Sequence, residues 1–133
     1  MVDKYWIIVP AAGIGKRFGG DIPKQYALIE DKSVLEITLQ KLLSWQHTQG
    51  IIVAIGEQDN YWSKLDIARD PRVVSVIGGY SRIESVHNAL EYLTDKLAGE
   101  QLVLVHDSVR PCISLLDLDH LLEQVSSRDA VGG

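Results

Sequence analysis

The sequence has a single cysteine, Cys112, in 133 residues. That excludes an internal disulfide and any multi-cysteine zinc site, and it fits a reducing compartment. Prolines number only four, and there is no low-complexity tract. No run approaches the ~18 apolar residues of a membrane-spanning helix. The N-terminus, "MVDKYWIIVPAAG", lacks the cationic start and long apolar centre of a signal peptide. Cations are outnumbered too. Thirteen Lys and Arg against eighteen Asp and Glu leave a formal net charge of −5. There is therefore no general basic field to hold a nucleic-acid backbone, and no membrane partner is indicated. These absences predict a soluble, cytoplasmic protein whose functional cations are local.

What is present is an alternating pattern. The runs "YWIIV" (5–9), "IIVAI" (51–55), "VVSVI" (73–77) and "LVLV" (102–105) are short and continuously apolar, as in strands covered on both faces by helices. Between them lie segments of helical period with readable starts. Ser33-Val34-Leu35-Glu36 fits a capping box, followed by Leu39, Leu42 and Leu43; Ser81 to Glu84 repeats it before Ile83, Val86, Leu90, Leu93 and Leu97. Ser114 and Asp117 open a last helix with Leu118, Leu121, Leu122 and Val125, and a shorter helix is expected near 58–67. The order βαβαβαβα predicts one α/β domain over residues 1–133, a mostly parallel sheet with helices on both faces. A further strand is expected after the last helix, so the domain reads as truncated at its C-terminus.

Ligands of open α/β sheets bind outside the carboxyl ends of the strands. After the first strand comes "PAAGIGKRFGGDIPK" (10–24), after the third "GGYSR" (78–82), and after the fourth "HDSVRP" (106–111). The segment after the second, "GEQDN" (56–60), reads as an ordinary acidic turn. The first segment fails the Walker A pattern, because Pro10 stands where the first glycine belongs and Arg17 follows Gly15-Lys16. It fails the dinucleotide fingerprint as well, with Phe18 at the third glycine position. A plain turn and an anion site both remain open on this basis. Small residues at Ala11, Ala12, Gly13 and Gly15 let backbone N–H groups approach a ligand, and Lys16, Arg17 and Lys24 add charge. Together they favour a polyphosphate site.

Gly78-Gly79 before the Ser81 cap and Arg82 is either a second anion or nucleotide contact or a strand-to-helix turn. Ser85, one turn on, faces a ligand or is an ordinary helix residue. Asp107 is the one carboxylate of the last segment. Beside a phosphate site it fits Mg²⁺, which takes one or two carboxylates plus phosphates and waters. The alternatives are a turn aspartate or an ion-pair partner for Arg110. His106 reads as a structural hydrogen-bonder, and Cys112 as a small packed residue.

In this order and spacing, "PAAGIGKRF…PKQY", "GGYSRIESV" and "HDSVRP" resemble the 2-C-methyl-D-erythritol 4-phosphate cytidylyltransferase family. The resemblance runs from the first strand to the last helix and implies a Rossmann-like nucleotidyltransferase fold whose C-terminal strands are missing here. It implies that Pro10, Ala11, Ala12, Gly13, Gly15 and Lys16 wrap the CTP triphosphate. Gly79 and Ser85 would select the cytosine with support from Arg82, and Arg17 and Lys24 would be catalytic. Asp107 would hold Mg²⁺ beside the nucleotide. The partners implied are CTP and a sugar-alcohol phosphate, and a homodimer for the full-length family. Ser108 and Val109 depart from the small alanines usual in the family. The family's C-terminal half carries much of the acceptor pocket, so the 133-residue chain alone is expected to be inactive. A sister cytidylyltransferase acting on ribitol 5-phosphate shares the last motif, although "PAAG" favours the methylerythritol enzyme. A non-catalytic nucleotide-binding fragment is the remaining alternative.

Overall fold

The computed structural model describes residues 4–12, 17–18, 22–57, 59–79, 81–94, 96, 103–108 and 114–120. In chain order, β1 (Tyr5–Ala11) is followed by two small antiparallel ribbons, β2 (Arg17–Phe18) with β3 (Ile22–Pro23) and β4 (Leu28–Ile29) with β5 (Lys32–Ser33). Then come α1 (Val34–Ser44), β6 (Thr48–Ile55), β7 (Val73–Ile77), α2 (Arg82–Thr94) and β8 (Val103–Val105). Residues 115–120 are again helical.

β1, β6, β7 and β8 form one parallel sheet in the order β7-β6-β1-β8. Ile7, Ile8 and Val9 of β1 lie opposite Ile51, Ile52 and Val53 of β6, and all six are essentially inaccessible to solvent. Successive residues point to opposite faces. Ile7, Val9, Ile51 and Val53 therefore meet Leu35, Leu39 and Leu42 of α1 on one side, where Leu118 also packs. Ile8 and Ile52 meet Ala89 and Leu93 of α2 on the other. This is why the central strands read as unbroken apolar runs: each face has its own helix layer. β7 is different, with Ser75 and Ile77 exposed, because it borders the sheet.

The three expected serine caps are formed. Ser33, Ser81 and Ser114 accept hydrogen bonds of 3.1 Å from the backbone N–H of Glu36, Glu84 and Asp117. The helix expected near 58–67 is replaced by two short 3₁₀ turns, Trp62–Lys64 and Asp66–Arg69. The physical reason lies in where the apolar groups go. Trp62 and Ile67 anchor separately in the core, with an extended Leu65 between them, and no continuous helical stripe connects the two. The expected helical positions Leu97, Leu121, Leu122 and Val125 lie outside the described residues.

Among the described residues, no helix is long and apolar enough to cross a membrane.

Candidate functional site

The chain builds β1, β6 and β7 in one direction across the sheet and then places β8 on the opposite side of β1. That reversal falls between β1 and β8, and open α/β sheets hold ligands beyond the carboxyl ends of the strands at such a point. Each strand end contributes to its surroundings.

β1 delivers Pro10, half-buried, and Ala11 and Ala12, both buried. Gly13, Gly15 and Lys16 lie outside the described residues, and so do the side chains of Arg17 and Lys24. The backbone nevertheless brings the last two together. In the β2–β3 ribbon Arg17 is paired opposite Pro23, the residue immediately before Lys24. Two cations seven positions apart in sequence thus occupy adjacent register positions.

Lys24 opens a 3₁₀ turn, Lys24–Tyr26, and the next two side chains tie that turn down. Gln25, 7% exposed, donates from Nε2 to the Ala11 carbonyl at 2.8 Å. The Tyr26 hydroxyl donates to Oδ2 of Asp59 at 2.5 Å, and its ring stacks on Tyr61 with centroids 4.9 Å apart. The other Asp59 oxygen accepts the backbone N–H groups of Tyr61 and Trp62 at 2.7 and 2.8 Å. Burial first, then the Asp59 carboxylate as acceptor and as negative charge, raises the Tyr26 phenol well above its ordinary pKa. Tyr26 is therefore neutral, and a donor, throughout any working pH range.

At the end of β7 the Gly78 N–H donates to the Ile55 carbonyl at 2.8 Å, which carries the sheet one residue further. A Cβ at Gly78 would sit 2.5 Å from Ser85 Oγ and 2.7 Å from the Ala12 Cβ. Only a glycine lets these two strand ends approach so closely. The Gly79 N–H donates to Ser85 Oγ at 3.1 Å. Ser85 is 2% exposed, so it lies under the turn and holds the Gly79 backbone from below.

At the end of β8 the His106 N–H donates to the Ile8 carbonyl at 2.9 Å. Its Nδ1 lies 2.8 Å from the Asp107 carbonyl oxygen, a contact that puts the proton on Nδ1. Asp107 Oδ1 is 3.6 Å from Nε of Arg82, and both side chains are about half exposed, at 45% and 59%. The partner considered from sequence, Arg110, lies outside the described residues. Ala12 against Gly78, and Arg82 against Asp107, thus join all three strand ends into one cluster. Among the described residues no group of three or more His, Cys, Asp and Glu could hold a metal ion. Asp107 offers an accessible carboxylate there, a donor that suits a cation carried largely by phosphates and waters.

A strand reversal at β1 and β8, with the positions of Arg17 and Lys24 adjacent at the end of β1 and Gly78 packed on Ala12, is an arrangement suited to an anionic ligand. Comparison with known proteins gives its family. Residues 5–132 match the family model for IspD, 2-C-methyl-D-erythritol 4-phosphate cytidylyltransferase. The chain belongs to that family.

The cytidylyltransferase of Vibrio vulnificus (strain CMCP6) is 44% identical over 125 residues, covering 94% of this chain and 53% of the relative. That of Buchnera aphidicola subsp. Schizaphis graminum is 46% identical over 126 residues, covering 95% and 51%. A crystal structure of 4-diphosphocytidyl-2C-methyl-D-erythritol synthase superposes with a TM-score of 0.78 at 30% identity, covering 96% of this chain and 56% of its own. The Francisella tularensis enzyme superposes at 0.71 with 36% identity, covering 94% and 53%. The chain spans about half the length of these relatives. Of the two cytidylyltransferase readings open from sequence, the match is to the methylerythritol family.

Gln25, Tyr26 and Asp59 are the residues of this region that sequence reasoning assigned no role. Gln25 and Tyr26 stand inside the quoted "PKQY", where a polar and an aromatic residue after a cation were a signal available to it. Asp59 carried none, since "GEQDN" has the composition of any solvated turn.

Proposed function

We propose that the protein carrying this chain transfers the cytidylyl group of CTP to 2-C-methyl-D-erythritol 4-phosphate. The products are 4-diphosphocytidyl-2-C-methyl-D-erythritol and pyrophosphate, made in the cytoplasm for isoprenoid synthesis. The observation that carries this reading is the juxtaposition of Arg17 and Lys24 by the β2–β3 ribbon, at the strand end that meets Gly78.

An oxygen of the acceptor's phosphate monoester attacks the α-phosphorus of CTP. A new P–O bond forms as the bond to the bridging oxygen breaks, and pyrophosphate leaves in line. The nucleophile is already an anion near neutral pH, since the second pKa of a phosphate monoester is about 6. No general base is needed, and the protein's work is positioning and charge stabilisation. In this reading the backbone from Pro10 to Lys16 wraps the triphosphate. Arg17 and Lys24 hold the two anionic reactants together and offset the charge that accumulates at the α-phosphate. Gly79, fixed by Ser85, presents backbone groups to the cytosine, and Arg82 steadies that turn. Asp107 would hold Mg²⁺ together with phosphate oxygens, and the bound ion would supply further charge neutralisation. For Asp107 to do so its contact with Arg82 must loosen, which the half-exposed position of both groups permits. The acceptor pocket and a dimer interface are assigned to the portion of family length that this chain does not span.

The test is pyrophosphate release from CTP and methylerythritol phosphate by the native gene product. Lys24→Ala should lower kcat by about 10²–10³, by analogy with removing one transition-state donor. Calorimetry should give tighter binding of CTP than of ATP in the presence of Mg²⁺. Wild-type turnover in folded Lys24→Ala removes Lys24 from the chemistry, and equal binding of the two nucleotides removes the base preference.

A further inference from the structure

A cation that must meet a transferring phosphate is only as effective as its placement, because a misplacement of about 1 Å costs about a hundredfold in rate. Residue 24 stands at the start of a turn of three residues, too short to fix its own position. The next two residues are both buried, at 7% and 4% exposure, and both spend their polar atoms on distant partners. Gln25 reaches the Ala11 carbonyl at the very end of β1, and Tyr26 reaches Asp59 beyond β6. Asp59 is itself held by the N–H groups of Tyr61 and Trp62, and Trp62 is anchored in the core. The turn is thus clamped between the ends of the two central strands of the sheet.

We propose that Gln25, Tyr26 and Asp59 are positioning residues for Lys24, a clamp that fixes its backbone relative to the carboxyl ends of β1 and β6. The clamp rests on the catalytic reading of Lys24 and adds to it a rigid connection to the sheet. Tyr26 supplies a neutral donor, 2.5 Å from the Asp59 carboxylate. Gln25 ties the turn by a hydrogen bond to β1, the strand that leads into the proposed triphosphate-binding segment. The two bonds have different anchors: one holds the turn to β1, the other to the segment after β6.

The experiment measures kcat and the KM for CTP in the native gene product, per active site titrated, for Tyr26→Phe, Gln25→Leu, Lys24→Ala and the corresponding doubles. Tyr26→Phe keeps the ring and its stacking on Tyr61 and removes only the hydroxyl. It should lower kcat about tenfold while the KM for CTP stays within about twofold, the split expected of lost orientation without lost binding. Combined with Lys24→Ala, it should cost nothing more, because a positioning residue acts through the group it positions. Gln25→Leu leaves the tyrosine in place and is read in the same way if Tyr26→Phe does not fold. Wild-type kcat in the single variants beside a slow Lys24→Ala overturns the clamp alone. Losses that multiply in the doubles do the same. A fully active Lys24→Ala overturns the catalytic reading and the clamp with it.

Discussion

The strand ends after β7 and after β1 both border the candidate site, yet they are held in opposite ways. Gly79 is held by Ser85, six residues further on and on the helix that the turn itself begins, while Gly78 still bonds to Ile55 of β6. The segment after β1 is fixed across separations of 14 and 33 residues, by Gln25 to Ala11 and by Tyr26 to Asp59. The first closure is local and forms with its helix. The second exists only once β1 and β6 have paired, so it depends on the whole sheet. The physical consequence is a contrast between a turn closed by its own helix at Gly79 and a turn closed only by tertiary bonds at Gln25 and Tyr26.

The sharpest break in this comparison is at Gly78, where the end of β7 meets the end of β1. Gly78→Ala forces a methyl group against Ser85 Oγ and the Ala12 Cβ, at 2.5 and 2.7 Å. Overpacking of this kind costs about 1–3 kcal/mol, and thermal unfolding should show it together with weakened CTP binding. An unchanged melting temperature would mean that the two strand ends are not in contact. Ser85→Ala comes next. It strips the Gly79 N–H of its acceptor in a buried place, a loss of about 1–2 kcal/mol. Denaturant midpoints should register it, and Ser85→Thr should recover less than half because the added methyl has no space.

The tertiary clamp has a pH signature. The folded-state pKa of Tyr26 is raised above its unfolded value of about 10, so folded protein holds this proton where the unfolded chain releases it. The contribution to stability is complete below pH 10 and declines as the pH rises beyond it, towards the folded pKa. In Tyr26→Phe that decline should be shallower between pH 10 and 11.5, measured by urea unfolding at each pH. Parallel curves for the two proteins would remove the phenol from the clamp. The smallest effect is expected at the β4–β5 ribbon, whose two-residue turn has both Glu30 and Asp31 at positive φ, 48° and 75°. Asp31→Gly relieves the left-handed strain in a type I′ turn and should stabilise by about 0.5–1 kcal/mol without altering turnover. Because this ribbon leads directly into the Ser33 cap of α1, an altered kcat would show that it communicates with the crevice.

The parts of the fold legible beforehand share a cause. The unbroken apolar runs gave the four strands of the main sheet because burial on both faces leaves no polar alternation. The serine caps gave the starts of the helices because a hydroxyl three residues before an N–H is a purely local bond. The 3₁₀ pair at 62–69 was not legible as such: Trp62 and Ile67 have a helix-compatible composition, and only their separate anchoring in the core breaks the helix. At the site, the residues to watch were visible from their chemistry, but their partners were not. Arg82 is a partner of Asp107 across the reversal in strand order, at a sequence separation no spacing rule reports.

The sequence by itself determined the alternating α/β pattern, the three chemistry-bearing strand ends and the family resemblance, because each is written in residues close together along the chain. Only the tertiary structure decided that Asp59, in an unremarked acidic turn, holds Tyr26, and that Arg17 is paired beside Lys24. Those contacts join segments through the sheet that separates or aligns them. A hydrogen bond spanning 33 residues leaves no local trace in composition or period, since its geometry is set by the packing of β1 against β6.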